Sequence, residues 1–209
     1  MSVKMSKRGQ ERYEKIIEVA LESFLNKGYE NTSLSDIIDK SGGSLASVYK
    51  FFNNKEGLFT AIVERSLDNF CAEIDEKINL KISHKIDDFL TKFATIFFDI
   101  VCDRKTTLIT RIMLIEGYKN NASLGNMFLE QVINRVNQIL VNFMEREEIK
   151  SQLDESIDPK TAASLFCGLV RNPYHYHAIL LNSDIVLSAK ERENHVKTCI
   201  KIFLKGITK

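Results

Sequence analysis

The chain has 209 residues, enough for one large domain or for a small domain joined to a larger one with a sizeable core. Hydrophobic residues make up 44% and charged residues 27%, as in ordinary globular proteins, and the formal net charge of +1 excludes a globally basic nucleic-acid-binding protein. Only two prolines and nine glycines occur, and no sustained strand-like alternation is present. The sequence therefore predicts an all-α fold of about nine helices.

Cysteine usage and the N-terminus indicate the compartment. Four widely spaced cysteines without a C-x-x-C pair are typical of core or pocket thiols in a reducing compartment: Cys71, Cys102, Cys167 and Cys199. The first ten residues lack the apolar core of a signal peptide. No apolar run approaches the roughly 18 residues needed to span a bilayer. We therefore expect a cytoplasmic protein with no membrane partner.

The N-terminal quarter is slightly basic. Residues 1–55 carry nine lysines and arginines against seven acids, so the remainder carries a net charge of −1. Residues 1–9 are polar and basic and are expected to form a mobile arm. Local phosphate attraction can still bind DNA, because salt screens charges over about 8 Å.

Helical periodicity begins near Gln10. Apolar positions at helical spacing predict a first helix from about residue 10 to Lys27, with Gly28 as its stop. Thr32 or Ser33 can cap a second helix. Gly42-Gly43 ends it, because a residue just past a helix end often requires a positive φ.

A third short helix follows the cap Ser44. Leu45, Val48 and Phe52 fall at i, i+3 and i+7 and predict one buried stripe. The opposite face is small, hydroxylic, aromatic and cationic, which suits a helix in a DNA major groove. An ordinary helix pair with a polar exposed face explains this local pattern equally well. That face consists of Ala46, Ser47, Tyr49 and Lys50.

The remaining chain reads as further helices without a linker. Asn53 with Glu56 three places on predicts the cap of a fourth helix running to about Ile78. More helices are expected at about 84–102, 104–118, 123–146, 158–181 and 188–206. Asp158-Pro159 and the capping box Ser188 to Glu191 are the sharpest starts.

Residues 12–60 resemble the TetR (tetracycline repressor-like) transcription regulators. A match over so many spaced positions is more specific than helix-turn-helix geometry alone. The matching positions are Lys27-Gly28-Tyr29, Thr32, Ile37, Gly42, the run Ser47 to Phe52, and Asn54 to Leu58.

The resemblance implies a helix-turn-helix DNA-binding domain at residues 1–55. A long helix would join it to a helical effector-binding and dimerisation domain at residues 56–209. It further implies a homodimeric transcriptional regulator, most simply a repressor released from palindromic double-stranded DNA by a small-molecule effector. Matching positions assign phosphate contacts to Thr32, Tyr49 and Lys55. The helix from Ser44 would enter the major groove, with Ala46, Ser47 and Lys50 nearest the base edges.

Two positions depart from the family pattern. Gly43 stands where many members have an apolar residue, and Phe51 stands where many have tyrosine, which removes one hydroxyl that could meet a phosphate. Our physical interpretation is that Leu45 fills the buried space that Gly43 leaves empty. Leu45→Lys would then loosen the domain.

Beyond residue 80 the family resemblance implies only an effector cavity and a dimer interface. Any one pocket candidate can equally be plain core, and Arg171 could pair an anionic ligand or an acid of a partner subunit. Small residues between leucines suit close helix approach in a dimer, although a buried monomer helix would look similar. The pocket candidates are Phe93, Phe97, Met113, Tyr118, Met127, Phe166, Arg171, Tyr174 and His175; the interface candidates are Ala162, Leu165, Leu169, Ala178 and Leu180.

No catalytic, metal or cofactor site is expected. His175 and His177 at i, i+2 on a helix point about 200° apart, so they share an ion only if Pro173 makes the segment irregular. No nucleophile-and-base set, phosphate loop or carboxylate pair stands out. The alternative to a regulator is a helical module that binds a small molecule or protein without operator-specific DNA binding; a helical enzyme is a remote third.

Overall fold

The structure is a computed structural model that describes residues 5–80, 85–119 and 122–208, except for the side chains of Ala122 and Ser123. In these ranges it is all-α, as predicted, and its only β-type pairing there is one isolated bridge between Leu153 and Thr208. The helices are α1 Lys7–Lys27, α2 Leu34–Ser41, α3 Leu45–Phe52, α4 Lys55–Ile78, α5 Ile86–Cys102, α6 Arg104–Lys119, α7 Ala122–Met127, a π-helical segment Phe128–Ile133, α8 Asn134–Met144, α9 Glu147–Lys150, α10 Pro159–Arg171, α11 Tyr174–Leu181 and α12 Ala189–Ile207.

Short side chains cap most of the predicted helix starts. Ser33 and Asp36 form a reciprocal capping box, as do Ser188 and Glu191, because each hydroxyl accepts the N–H three residues on while the acid accepts the N–H of the cap. Asp158 caps α10 ahead of a proline at its first position. These hydrogen bonds also lower the pKa of Asp36, Asp158 and Glu191.

Several expected boundaries were wrong. α1 begins at Lys7 with Ser6 as its cap, so only part of the expected arm lies before it, and residues 1–4 lie outside the described chain. The cap of α4 is Asn54, whose Oδ1 accepts the N–H of Gly57 at 2.7 Å. Asn53 instead ends α3 with a positive φ of 66°.

The two longest expected segments in the C-terminal half are interrupted. A π-helical stretch from Phe128 to Ile133 separates α7 from α8. The segment expected at 158–181 ends at Arg171 and restarts at Tyr174, since Pro173 provides no backbone N–H to continue the helix. These two breaks, together with the short helix α9, explain why more helical segments occur than expected.

The contacts group the chain into two units. The first comprises Met1–Leu67 with Ile112–Gly125, and the second comprises Asp68–Arg111 with Asn126–Lys209. α4 and α6 therefore each run from one unit into the other. The expected functional division after residue 55 remains a prediction.

In the first unit, α1, α2 and α3 pack around one apolar core that includes the start of α4. Ile16, Ile37, Val48 and Leu58 are each at most 1% exposed. Phe24, Tyr29 and Phe59 pack ring against ring at 5.1 to 5.9 Å, and Arg65 of α4 pairs with Glu14 of α1 at 2.7 Å. α3 is thereby held on a fixed base.

In the second unit, α10 packs against α5, α8 and α12. Its core is aromatic: Phe89 stacks on Phe143 at 3.6 Å, and Phe93 lies 5.8 Å from Phe97 and 6.4 Å from Phe166. None of the helices in the described ranges has the length and apolarity needed to cross a bilayer.

Candidate functional site

The exposed face of α3 is the predicted one. Val48 and Phe52 are buried at 0% and 5%, so they set which side of the helix faces inward. The stacking of Phe52 on Tyr13 of α1, at 4.8 Å, fixes this orientation. The outward residues are Ala46, Tyr49 and Lys50, which are exposed, and Ser47, which is partly exposed.

The start of α3 shows that our interpretation of Leu45 was wrong. Leu45 is 38% exposed and therefore does not fill a buried space beside Gly43. The space over Gly43 is taken by Arg12 of α1, since a Cβ on Gly43 would lie 2.7 Å from Nη1 and 3.4 Å from Cζ of Arg12. The sequence missed Arg12, because nothing in the helical pattern of α1 indicates which turn it covers.

Ser44 caps α3, as predicted. Its Oγ accepts the backbone N–H of Ser47 at 3.3 Å and lies 3.0 Å from the Ser47 hydroxyl. The two hydroxyls thus form one exposed polar pair at the N-terminal end of the helix. N-terminal residues of a recognition helix are those that meet base edges.

Thr32 has an internal role that conflicts with its expected phosphate contact. Its side chain is 1% exposed, and its hydroxyl bonds to the carbonyl oxygens of Gly28 and Ser23 at 2.8 and 3.2 Å. A hydroxyl has one proton to donate, and here both acceptors lie inside the protein. Thr32 fixes the loop between α1 and α2.

Lys55 is directed toward the α1–α2 loop. Its Nζ donates to the carbonyls of Tyr29, Glu30 and Thr32 at 2.9, 3.3 and 3.2 Å, which uses all three ammonium protons. The ammonium also lies 4.5 Å from the centre of the Tyr29 ring, whose pKa is raised to about 12 by burial and by nearby acids. Lys55 is therefore a positioning residue for the α1–α2 loop.

The same loop is held by α6. Nζ of Lys119 lies 2.7 Å from Oε1 of Glu30, and this hydrogen bond lowers the pKa of the Glu30 carboxyl. Within the first unit, the loop that leads into α2 thus has anchors on both α4 and α6.

The predicted pocket residues separate into groups. Phe93, Phe97, Met127 and Phe166 are buried in the second unit, whereas Met113 is buried in the first. Tyr118 was a wrong candidate for a cavity wall, because its side chain is 93% exposed. It occupies the outward side of α6 next to the ion-paired Lys119.

Three further pocket candidates, Arg171, Tyr174 and His175, lie beside the turn between α10 and α11. Nδ1 of the buried His175 lies 2.6 Å from the Val101 carbonyl oxygen, and burial lowers the pKa of this histidine. Tyr174 packs edge-on against His195 at 5.0 Å. The guanidinium of Arg171 lies 5.5 Å from the Tyr176 ring centre, and its buried Nε has no hydrogen-bond partner in the described chain.

His175 and His177 differ in environment, since the first is buried and the second exposed. Across the described ranges, no group of three histidine, cysteine or acidic side chains is placed to hold a metal ion. Cys167 and Cys199 are buried, and burial raises the pKa of the Cys167 thiol to about 12.

A surface groove lies between α10 and α12 of the second unit. It contains three of the predicted interface residues, Ala162, Leu165 and Leu169, while Ala178 is buried elsewhere and Leu180 is 76% exposed outside it. Leu165 and Ile202 are 62% and 55% exposed at this groove. Ile202 was missed, because one apolar residue on the polar side of α12 gives no periodic signal.

Comparisons with known proteins agree with these features. Residues 16–62 match the family model described as bacterial regulatory proteins of the tetR family, and residues 88–206 match the C-terminal domain of AefR-like transcriptional repressors. The fatty acid metabolism regulator protein of Bacillus subtilis is 22% identical over 86% of this chain and 94% of its own.

Solved structures share the whole fold. A TetR-family regulator from Mesorhizobium loti superposes with a TM-score of 0.84 at 22% identity, covering 98% of this chain and 100% of the other. The flavonoid-responsive regulator FrrA gives 0.74 at 26% identity, covering 95% and 98%. Because the C-terminal family model alone spans more than half of the sequence, the chain belongs to the TetR family of transcriptional regulators.

Proposed function

We propose that this regulator represses transcription as a homodimer on palindromic operator DNA and is released by a small-molecule effector. The observation that carries the proposal is α3, which presents exposed polar residues after a two-glycine turn while Val48 and Phe52 fix its inward side. Its match to the family model at residues 16–62 supports the same role. Residues 1–55 would be the DNA-binding domain and residues 56–209 the effector-binding and dimerisation domain.

Within α3, the proposed contacts follow from exposure. Ala46, Ser47 and Lys50 would lie nearest base edges, with the Ser44 hydroxyl beside them, and Tyr49 would reach a phosphate. Lys50 makes no ion pair with any residue in the described ranges, so its ammonium is available. Thr32 and Lys55 would support binding indirectly by fixing the α1–α2 loop.

The α10–α12 groove is our candidate for the dimer interface. Exposed Leu165 and Ile202 flank Gly168 and Gly206, so apolar side chains stand beside positions where another helix can approach closely. A palindromic site requires a two-fold protein, and such a face pairs with its own copy. The polar rim includes Asp158 and Asn172.

The proposed route of release runs along α4 and α6, which are shared by both units. An effector bound in the second unit would bias the positions of these helices. Lys55 of α4 and Lys119 of α6 both donate hydrogen bonds to the α1–α2 loop. Displacement of either helix would therefore shift the loop that leads into the helix-turn-helix.

Selection from a random double-stranded DNA pool tests the proposal. The protein is expected to enrich one sequence, and Lys50→Ala is expected to change which bases are preferred at particular positions. Lys92→Ala, which removes an exposed lysine of α5, is the matched control for net charge and should leave the preference unchanged. A folded dimer that enriches no sequence would favour a binding module without operator recognition.

A further inference from the structure

The turn before α3 holds a guanidinium that the family pattern does not predict. Arg12 lies over Gly43, where a Cβ would come within 2.7 Å of its Nη1. Gly43 also has a φ of 112°, which side chains with a Cβ rarely adopt. The backbone at position 43 therefore favours glycine, and the space beside it is occupied by the end of the Arg12 side chain.

Arg12 has no acidic partner in the described ranges, unlike two cations that lie on the helices and loop around it. Lys27 pairs with Asp36, and Lys119 pairs with Glu30. Arg12 makes no hydrogen bond or ion pair with any residue in the ranges that the structure describes, and it remains partly exposed. Its five N–H donors bond to no residue in those ranges and can therefore meet an external anion.

The position of this cation indicates which anion it meets. Gly43 directly precedes the Ser44 cap, so Arg12 stands beside the N-terminal end of α3, which enters the groove first in helix-turn-helix complexes. The DNA major groove is bordered by backbone phosphates. A planar guanidinium binds a phosphate through two parallel hydrogen bonds.

We infer that Arg12 binds a backbone phosphate of the operator and that glycine at position 43 makes room for it. The inference rests on the proposed operator binding and adds a contact outside the helix-turn-helix itself. In a two-fold dimer the contact occurs twice per operator. It would supply a phosphate contact of the kind that the family resemblance implies for Thr32 and Lys55.

Binding of the selected operator by full-length Arg12→Ala, measured by fluorescence anisotropy over a range of KCl concentrations, tests the inference. Affinity should fall about tenfold or more at physiological salt, since a hydrogen bond to a charged group is lost twice. The slope of log K against log salt should become shallower by about 2, from about 0.9 for each lost phosphate contact. Base preference and thermal midpoint should not change, and Arg12→Lys should recover part of the slope.

Lys92→Ala serves as the charge-matched control and should keep the wild-type slope. An Arg12→Ala slope equal to wild type, or an equal reduction in the control, overturns the inference while operator binding stands. Failure of the wild-type protein to enrich any sequence overturns both proposals.

Gly43→Ala gives an independent test of the link between the two residues. Alone it should reduce affinity, because the new Cβ displaces the guanidinium. In the Arg12→Ala background, Gly43→Ala should reduce the affinity for the operator less than it does in wild type, since the phosphate contact of Arg12 is already absent. Additive losses would contradict the role assigned to Gly43.

Discussion

At the residue scale, a side chain's hydrogen-bond partners decide its role more than its position in a motif. Thr32 and Lys55 occupy positions for which the family resemblance implies phosphate contacts, yet their polar atoms are used by backbone carbonyls. Arg12, outside the helix-turn-helix, makes no hydrogen bond or ion pair with any residue in the described ranges. A cation whose donors have no internal partner can bind an external anion without first breaking a bond inside the protein.

Substitution of Leu45 tests whether this side chain is exposed. Because Leu45 is 38% exposed, Leu45→Lys should change the free energy of unfolding by no more than about 0.5 kcal/mol. Val48 is fully buried on the same helix, so Val48→Lys should destabilise by several-fold more, through an unpaired buried charge. Urea unfolding at fixed protein concentration measures both. Equal destabilisation by the two substitutions would restore the buried assignment of Leu45.

Lys55→Met should lower the stability of the first unit. The substitution keeps most of the aliphatic stem but leaves three carbonyl oxygens without the ammonium, which should cost about 1–3 kcal/mol. Differential scanning calorimetry measures the shift in thermal midpoint. Lys50→Met, at an exposed lysine without such bonds, is the control. A Lys55→Met protein as stable as that control would show that the loop does not depend on Lys55.

At the element scale, helix type and inward face could be predicted from periodicity and caps. Ser33, Asp158 and Ser188 lie where short polar side chains satisfy helix ends, and Val48 and Phe52 face inward as spaced. The contacts between helices depend on tertiary packing and could not be predicted from the sequence. The space over Gly43 was filled from another helix, and Tyr118 turned outward beside an ion-paired lysine, neither of which local spacing records.

His175 of α11 should make the free energy of unfolding depend on pH. Burial, reinforced by Arg171, lowers the pKa of this histidine in the folded chain below its ordinary 6.5, although its bond to the Val101 carbonyl opposes the shift. The unfolded chain therefore takes up a proton near pH 6.5 that the folded chain does not bind. The free energy of unfolding should fall as the pH drops below about 6.5 and level off below the folded-state pKa.

Urea unfolding of wild type and His175→Asn at pH 7.5 and 5.5 measures this contribution. The variant should lose less stability between the two pH values than wild type. His177→Asn removes the neighbouring exposed histidine and should behave as wild type. Identical pH dependence in all three proteins would exclude His175 as the source.

At the scale of the whole molecule, the α10–α12 groove should determine the oligomeric state. Ile202→Asp places a charge on a 55% exposed apolar position of the groove and should shift the protein toward single 24.0 kDa chains. Val186→Asp, at an 89% exposed position outside the groove, should leave the dimer intact. Sedimentation velocity distinguishes the two. A dimer that survives Ile202→Asp would place the interface elsewhere.

The symmetry of the selected DNA is the most direct measurement of the central claim. If two copies each insert α3 into successive major grooves, the sequence enriched from a random duplex pool will be an inverted repeat. Its half-sites should be about 10 base pairs apart or a multiple of that spacing. Enrichment of an asymmetric site bound by one chain, or no enrichment by folded protein, would contradict a homodimeric operator-binding regulator.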